Sequence, residues 1–482
     1  MLPFTSQRKA DETGLPSQSP VSPEEPSEKP RALLIYPPVY DFALYDLFLK
    51  PYGLLRLGSM LEAAGWSTRL INALDYSDPE TIAKMGTLRR RPNGTGKIHR
   101  SLAPLPEALN GIHRRFARYG ILPEVFRSMI GAEHPDAVFI SSGMTYWYKG
   151  VAETVAAVRE IWPGVPVAVG GVYASLMGEH CMKVCTPDYI VQGDAGEELG
   201  RYLRSRGLPG LEPGAGCQPL DKGCWNDAAV IRLNEGCPLN CDYCASKKIN
   251  NRFTAGRPAD VFEWLVAVNQ ARGTSNFAFY DDALLYKSGD VLKPFLESVI
   301  DYQKTTGRIL NFYTPNAMHI RYLDQECAFL MKKAGFREVR LGFESESEDF
   351  HLEHDNKYSK SGFHESIRLL TAAGFNREEI IVYILAGLPG QRASEVEDTI
   401  RYAADRGLTL SVSEFSTVPG SGLWNKCVAS CRFPIAEEPL YHNNSFFPME
   451  WEHFTREDMQ RLKKLSKESF SISSKKTACS DS

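Results

Sequence analysis

Apolar residues along this chain come in short dense runs, separated by stretches where they recur every three or four positions. A run of four to six suits a strand buried on both faces of a sheet, and the wider spacing suits a helix lying over it. Ala32-Leu33-Leu34-Ile35-Tyr36, stopped by Pro37-Pro38, predicts a first strand. Leu54, Leu57, Leu61 and Ala64 then share a helical face that Gly65 ends, and a strand is expected over 68–72. The rhythm returns with a strand at 137–141, a helix at 151–161, a strand at 166–169 closed by Gly170-Gly171, a short strand at 189–191 and a helix opening at Glu197-Glu198. Repeated units of this kind predict an α/β fold with an open, doubly wound sheet across residues 31–206.

After a Gly- and Pro-rich stretch at 207–227, read as a linker, the alternation runs again through 228–433. Strands are expected at 230–233, 277–280, 309–313, 339–343, 380–385 and 408–415, with helices at 259–271, 290–304, 323–334, 361–373 and 393–404. Six such units are too few to close an eight-stranded barrel, so a partial (β/α)6 barrel of the TIM type is predicted, with its chemistry at the C-terminal strand ends. Two stretches break the pattern. Residues 1–30, rich in Pro, Ser, Glu and Lys, are expected to be a disordered arm, and 434–482 a tail with one charged helix near 455–466 and a polar, mobile end.

A length of 482 residues fits two domains with appendages. The composition, 43% hydrophobic and 24% charged, is that of a globular protein, and no apolar run approaches the length of a membrane span. With no secretory leader in the first residues, the expected compartment is the cytoplasm. A net charge of -4 argues against a surface that coats nucleic acid. One segment departs from it: residues 77–130 carry ten Lys or Arg against four Asp or Glu, and are read as a solvated or acid-paired insertion.

Eleven cysteines form no regular disulfide framework, so spacing has to decide their use. Directly after the first barrel strand comes Cys237-Pro238-Leu239-Asn240-Cys241-Asp242-Tyr243-Cys244, a CxxxCxxC loop projected to the catalytic end. Thiolates are the ligands of iron–sulfur clusters, which commonly take four; three from one tight loop leave an iron open to a substrate or cofactor. A zinc site would want a fourth Cys or His close by, and the nearest downstream histidine is His319.

On this loop, with Tyr243 before its last cysteine, the region from Val230 to Trp424 resembles the radical S-adenosylmethionine (SAM) superfamily. The resemblance implies a [4Fe–4S] cluster on Cys237, Cys241 and Cys244, with SAM chelating the open iron. It further implies reductive cleavage of SAM to a 5′-deoxyadenosyl radical that abstracts hydrogen from a substrate, and an electron donor such as a flavodoxin or ferredoxin. By the same resemblance, Tyr280-Asp281-Asp282 stands where the family binds the SAM ammonium, implicating Asp281 and Asp282. Gly342-Phe343-Glu344-Ser345 places Glu344 and Ser345 near the ribose or methionine end, and Gly387-Leu388-Pro389-Gly390 places Gly387 and Pro389 by the adenine. Pro419-Gly420-Ser421-Gly422 is similar to a further family loop.

The first domain resembles the Rossmann-like cobalamin-binding domain fused to many such enzymes, on Tyr36-Pro37-Pro38, Pro51-Tyr52-Gly53-Leu54, Ser141-Ser142-Gly143 and Gly170-Gly171. The Asp-x-His-x-x-Gly cobalt-ligating motif of that family is absent. Two readings of the domain therefore stand: it holds cobalamin, or it only shields or recognises substrate. Two readings of function stand beside hydrogen abstraction, namely cobalamin-dependent methyl transfer and a non-catalytic iron–sulfur or zinc-binding protein. Cys217, Cys224, Cys427 and Cys431 are read as unbound thiols, and Cys181 and Cys185 as packed on a helix.

Overall fold

The computed structural model describes residues 29–193, 196–211 and 218–480, with side chains to 469; most of the expected N-terminal arm and Cys217 lie outside the described residues. Five parallel strands form the first sheet: β1 (Arg31–Tyr36), β2 (Ser67–Asn72), β3 (Ala137–Ser142), β4 (Val167–Gly171) and β5 (Tyr189–Ile190). Their order is β5-β4-β3-β1-β2, so the chain reverses its winding between β1 and β3. Alternation along β1 explains how one strand serves two layers. Ala32, Leu34 and Tyr36 pack with Leu54, Leu57 and Leu61 of the helix Tyr52–Ala63. Leu33 and Ile35 pack with Val151, Val155 and Val158 of the helix Tyr148–Ile161 on the other face.

The segment 77–130 folds into two helices, Pro79–Met85, capped by the Asp78 side chain, and Pro123–Gly131, and strands of a small antiparallel sheet. Carboxylates answer several of its cations. Buried Arg118 grips Glu153 at 2.8 and 3.0 Å, Arg90 pairs with Asp46, and Arg127 pairs with Glu160.

The second half contains β6 (Ala229–Ile231), β7 (Asn276–Phe279), β8 (Asn311–Tyr313), β9 (Val339–Glu344), β10 (Ile380–Ala386) and β11 (Thr409–Glu414). They form two parallel three-stranded sheets, β6-β7-β8 and β9-β10-β11. Isolated parallel bridges, Phe312 to Phe336 and Met318 to Leu341, join the two across the gap. The α/β architecture predicted from the hydrophobic rhythm, a Rossmann-like sheet followed by a partial six-stranded barrel, is the one observed. Its interior is aromatic: Phe279 and Phe312 stack on Phe336 at 5.4 and 5.6 Å, and Phe343 on Phe363 at 4.1 Å.

Residues beyond Pro434 do more than trail from the barrel. Ile435, Leu440, Phe446 and Met449 are buried in a core shared with Val151 and Val155 of the first domain. Polar hooks fix them there: His442 Nδ1 lies 2.8 Å from the Thr145 hydroxyl, and Asn443 Nδ2 donates to Asp41 at 2.9 Å. The closing helix spans Arg456–Ser480, longer than the expected 455–466, because no Gly or Pro interrupts it.

Candidate functional site

The cysteine loop leaves β6 at a point where the backbone amides of Leu233 and Asn234 are satisfied by a side chain. Asp281, at the end of β7, accepts from Leu233 at 3.1 Å and from Asn234 at 2.6 Å. Next comes Gly236, in the left-handed region at φ +73°, where a Cβ would collide with the Arg252 carbonyl. The far side of the loop is clamped at Asp242, whose amide donates to His354 O at 2.9 Å and whose carbonyl accepts from Leu423 at 2.8 Å. His354 Nδ1 meets its carboxylate at 2.8 Å. A Cβ on Gly422 would come within 2.8 Å of the Asp242 side chain, so this close approach needs a glycine.

Clamped in this way, Cys237, Cys241 and Cys244 line one cavity of 520 Å³ together with Asp282, Asn316, His319 and Lys357. All three thiols are free; Cys237 and Cys241 are half-buried and Cys244 is exposed. Burial pushes both half-buried thiols up, that of Cys241 to about 12. Cys237 Sγ lies 3.7 Å from His319 Nε2. Among the described residues no three Cys, His, Asp or Glu side chains approach closely enough to hold a single metal ion. One zinc ion would gather its thiolates about 2.3 Å from a common point, whereas a cubane cluster offers each thiolate its own iron. Three separated thiols on the wall of one cavity therefore fit a cluster.

Behind the cysteines lies a buried charged network. Glu344 ends β9 at φ +64°, where the register with β10 slips. Its Oε1 lies 3.5 Å from Lys357 Nζ, whose ammonium sits 5.1 Å from the centre of the Tyr243 ring. Asp355 is the hub: it accepts from the Tyr243 hydroxyl at 2.5 Å and the Lys357 amide at 2.9 Å, and meets His351 Nδ1 at 2.8 Å. Burial works against charge on Lys357, but Glu344, Cys241 and Asp355 outweigh it and raise the pKa, so the cavity wall carries a fixed positive charge. Burial raises the Glu344 carboxyl, partly offset by Lys357. No spacing in the sequence marks Lys357, Asp355 or His351; Lys357 and Asp355 meet Tyr243 from the turn after the helix Glu348–His354, and His351 of that helix meets Asp355.

The residues singled out from sequence thus separate by position. Tyr243 and Asp282 line the cysteine cavity, and Glu344 reaches it through Lys357. Asp281 instead commits its carboxylate to two backbone amides, and burial raises it to about 7. Ser345 accepts from the Ser347 amide at 3.1 Å and offers its carbonyl to His351 Nε2 at 2.9 Å. Gly387 and Pro389 are buried in a turn held by Gln391, where a Cβ on Gly387 would collide with the Phe447 ring. Elsewhere, Cys427 is buried and Cys431 Sγ donates to Pro448 O at 3.5 Å.

A second cavity, of 210 Å³, lies at the carboxyl ends of β3 and β4 in the first sheet. Ligands of open α/β sheets bind at this place, beyond the carboxyl ends of the strands. Its walls are Gly53, Leu57 and Met60 of the first helix, Phe139 of β3 and Gly170-Gly171 of β4. Gly171, at φ +91°, has no room for a Cβ against the Ser142 carbonyl, whereas a Cβ on Gly53 would meet nothing within 4 Å. The barrel closes the far side with Arg232 and Glu235, and Glu235 is ion-paired to Arg56 across the boundary. Arg232 also pairs at 3.5 Å with Asp282 of the cysteine cavity, so the two cavities share a wall.

Among the described residues no helix is long and apolar enough to cross a membrane. Residues 231–403 match the Radical SAM superfamily and residues 108–202 the B12 binding domain. The chain is 24% identical over 381 residues to the uncharacterised methyltransferase PH0819 of Pyrococcus horikoshii, covering 70% of this chain and 76% of that protein. In fold it is similar to the radical SAM methyltransferase TsrM of Kitasatospora setae, solved with cobalamin and a [4Fe–4S] cluster: TM-score 0.62, 15% identity, 84% of this chain and 76% of that one. It is also similar to the cobalamin-dependent SAM radical enzyme OxsB, at TM-score 0.55 and 11% identity, over 92% of this chain and 61% of that one. The chain is therefore a radical SAM superfamily enzyme that carries a B12-binding-type domain ahead of its partial barrel.

Proposed function

We propose that this enzyme catalyses cobalamin-dependent methyl transfer from SAM. The observation that carries this reading is the shared wall: the Arg232–Asp282 pair joins the cavity at the B12-binding-type sheet to the cavity lined by the three cysteines. Hydrogen abstraction, the reading the cysteine motif favours by itself, takes second place to methyl transfer because it leaves the first domain without chemistry. The resemblance to methyltransferases points the same way.

When bound, SAM supplies the methyl group, cobalamin carries it and a [4Fe–4S] cluster supplies electrons. Cys237, Cys241 and Cys244 would hold the cluster. Lys357 presents a buried positive charge suited to the methionine carboxylate of SAM, and Asp282 a carboxylate suited to its ammonium. Gly53 and Gly170 keep the floor of the second cavity flat enough for a broad planar ring, and no imidazole is among its lining residues. The charged network behind Tyr243 fixes the cysteine loop with buried hydrogen bonds, which preserves its geometry through turnover.

The test is anaerobic reconstitution with iron, sulfide and hydroxocobalamin, followed by desalting and incubation with SAM and a reductant. The expected result is cobalamin retained with the protein and S-adenosylhomocysteine released. Failure to retain cobalamin, or 5′-deoxyadenosine as the sole product of SAM, would overturn the proposal.

A further inference from the structure

Three aromatic residues, each next to an exposed cation in sequence, converge beside Cys237. They are Arg252-Phe253, Tyr286-Lys287 and Arg321-Tyr322. Phe253 meets Tyr286 at 4.8 Å, and Tyr286 meets Tyr322 at 5.2 Å. The cluster is tied to the cysteine loop at two points. The Arg252 carbonyl packs on Gly236, the neighbour of Cys237. Tyr322 ends the one-turn helix after His319, donating its amide to His319 O at 3.3 Å, and the His319 ring lies 3.7 Å from Cys237 Sγ. Among the described residues none of the three cations has an acidic partner; Arg321 donates only to the Asn356 carbonyl, at 3.0 Å. Of the acids nearby, Asp324 and Glu326 are matched by Lys293 and Glu365 by Arg368.

We infer that this surface docks an acidic one-electron carrier protein of the flavodoxin type and delivers its electron to the cluster beside Cys237. Unpaired cations around a half-buried aromatic patch are the complement of an acidic rim around an exposed prosthetic group, and such charge matching raises the encounter rate. A nucleic acid is the less favoured occupant, because stacked bases need free ring faces. Here the rings meet edge-on, at 89° and 70°. Each productive encounter moves one electron: the carrier is oxidised by one, the cluster is reduced by one, and no bond forms or breaks.

The inference rests on the proposed function, and the test separates the two. Reconstituted holoenzyme and the triple variant Arg252→Glu/Lys287→Glu/Arg321→Glu are titrated with a flavodoxin by calorimetry at low and high salt. SAM turnover is then driven either by reduced flavodoxin or by photoreduced deazaflavin. The surface predicts flavodoxin affinity weaker by on the order of 10-fold in the variant, with its salt dependence largely gone. Iron content and deazaflavin-driven turnover stay unchanged, and Arg252→Lys/Arg321→Lys retains wild-type affinity. Equal flavodoxin affinity in wild type and triple variant overturns the inference, as does loss of single-stranded RNA binding in the variant with unchanged flavodoxin kinetics. Wild-type protein that takes up no cluster, or turns over SAM with neither reductant, overturns the proposed function and this surface with it.

Discussion

The two cavities of this enzyme share a wall but are built in opposite ways. The cysteine cavity draws its decisive groups from one eight-residue loop, is polar, and is braced by buried charge at Lys357, Glu344 and Asp355. The cavity of the first domain is assembled from the ends of several strands and one helix, is floored by glycine and apolar side chains, and meets charge at the domain boundary, on Arg232 and Glu235 of the barrel and on Arg56, which pairs with Glu235. A covalently ligated cluster needs a few donors at fixed spacing, whereas a large planar ligand needs shape and an absence of side chains. The first requirement leaves a local motif in the sequence, and the second leaves gaps.

Substitutions that strike one cavity and spare the other test this contrast most sharply. The largest effect is expected for Cys237→Ala, Cys241→Ala or Cys244→Ala, each of which reduces SAM cleavage in anaerobically reconstituted protein to background. Cobalamin retention should survive in all three, and either retained SAM cleavage or loss of cobalamin breaks the comparison. Gly53→Phe is the mirror experiment. Its side chain enters open space on the helix face, so the fold tolerates it. Cobalamin bound after desalting should fall at least ~10-fold while iron content holds, by steric exclusion.

Lys357→Met comes next. It removes the fixed charge of the cysteine cavity and leaves Glu344 buried without its cation. SAM affinity, read by equilibrium dialysis on the reconstituted enzyme, should weaken by ~10-fold with iron retained, the scale typical of groups that support a metal site. The smallest effect concerns the clip that holds the two domains together. Burial lowers the His442 pKa from 6.5 to about 4, so the unfolded chain binds the proton more readily. The stability that His442 contributes is present above its unfolded pKa of 6.5 and is lost as pH falls through about 4. Across that window the change is on the order of 3 kcal/mol. Urea denaturation between pH 7 and 4 should show this slope in the wild type and a flatter one in His442→Gln; equal slopes would show that this histidine does not titrate with folding.

What the sequence disclosed follows the same division. Strand positions were legible because the main sheets are parallel and covered by helices, which writes continuous apolar runs at Leu33-Leu34-Ile35 and Ile380-Ile381-Val382. The cysteine loop was legible because its three thiols stand at short, fixed spacing directly after a strand. Asp281 drew attention for its charge at a strand end, but the carboxylate closes the backbone of the cysteine strand, an assignment that needs the partner amides in view. Lys357 and Asp355 carry no motif, since they reach Tyr243 from more than a hundred residues away through a turn. The residues after Pro434 read as a tail because their aromatic anchors lack helical or strand periodicity; only the packed core shows Phe446 and Met449 sealing the boundary between the domains.

The account depends on the cysteine cavity holding a cluster with one iron left open to SAM. Electron paramagnetic resonance of the reconstituted, reduced protein with and without SAM tests this most directly. A [4Fe–4S] signal whose g-values shift on adding SAM is the predicted result. A protein that purifies with zinc, or one whose cluster signal is unmoved by saturating SAM, would contradict it.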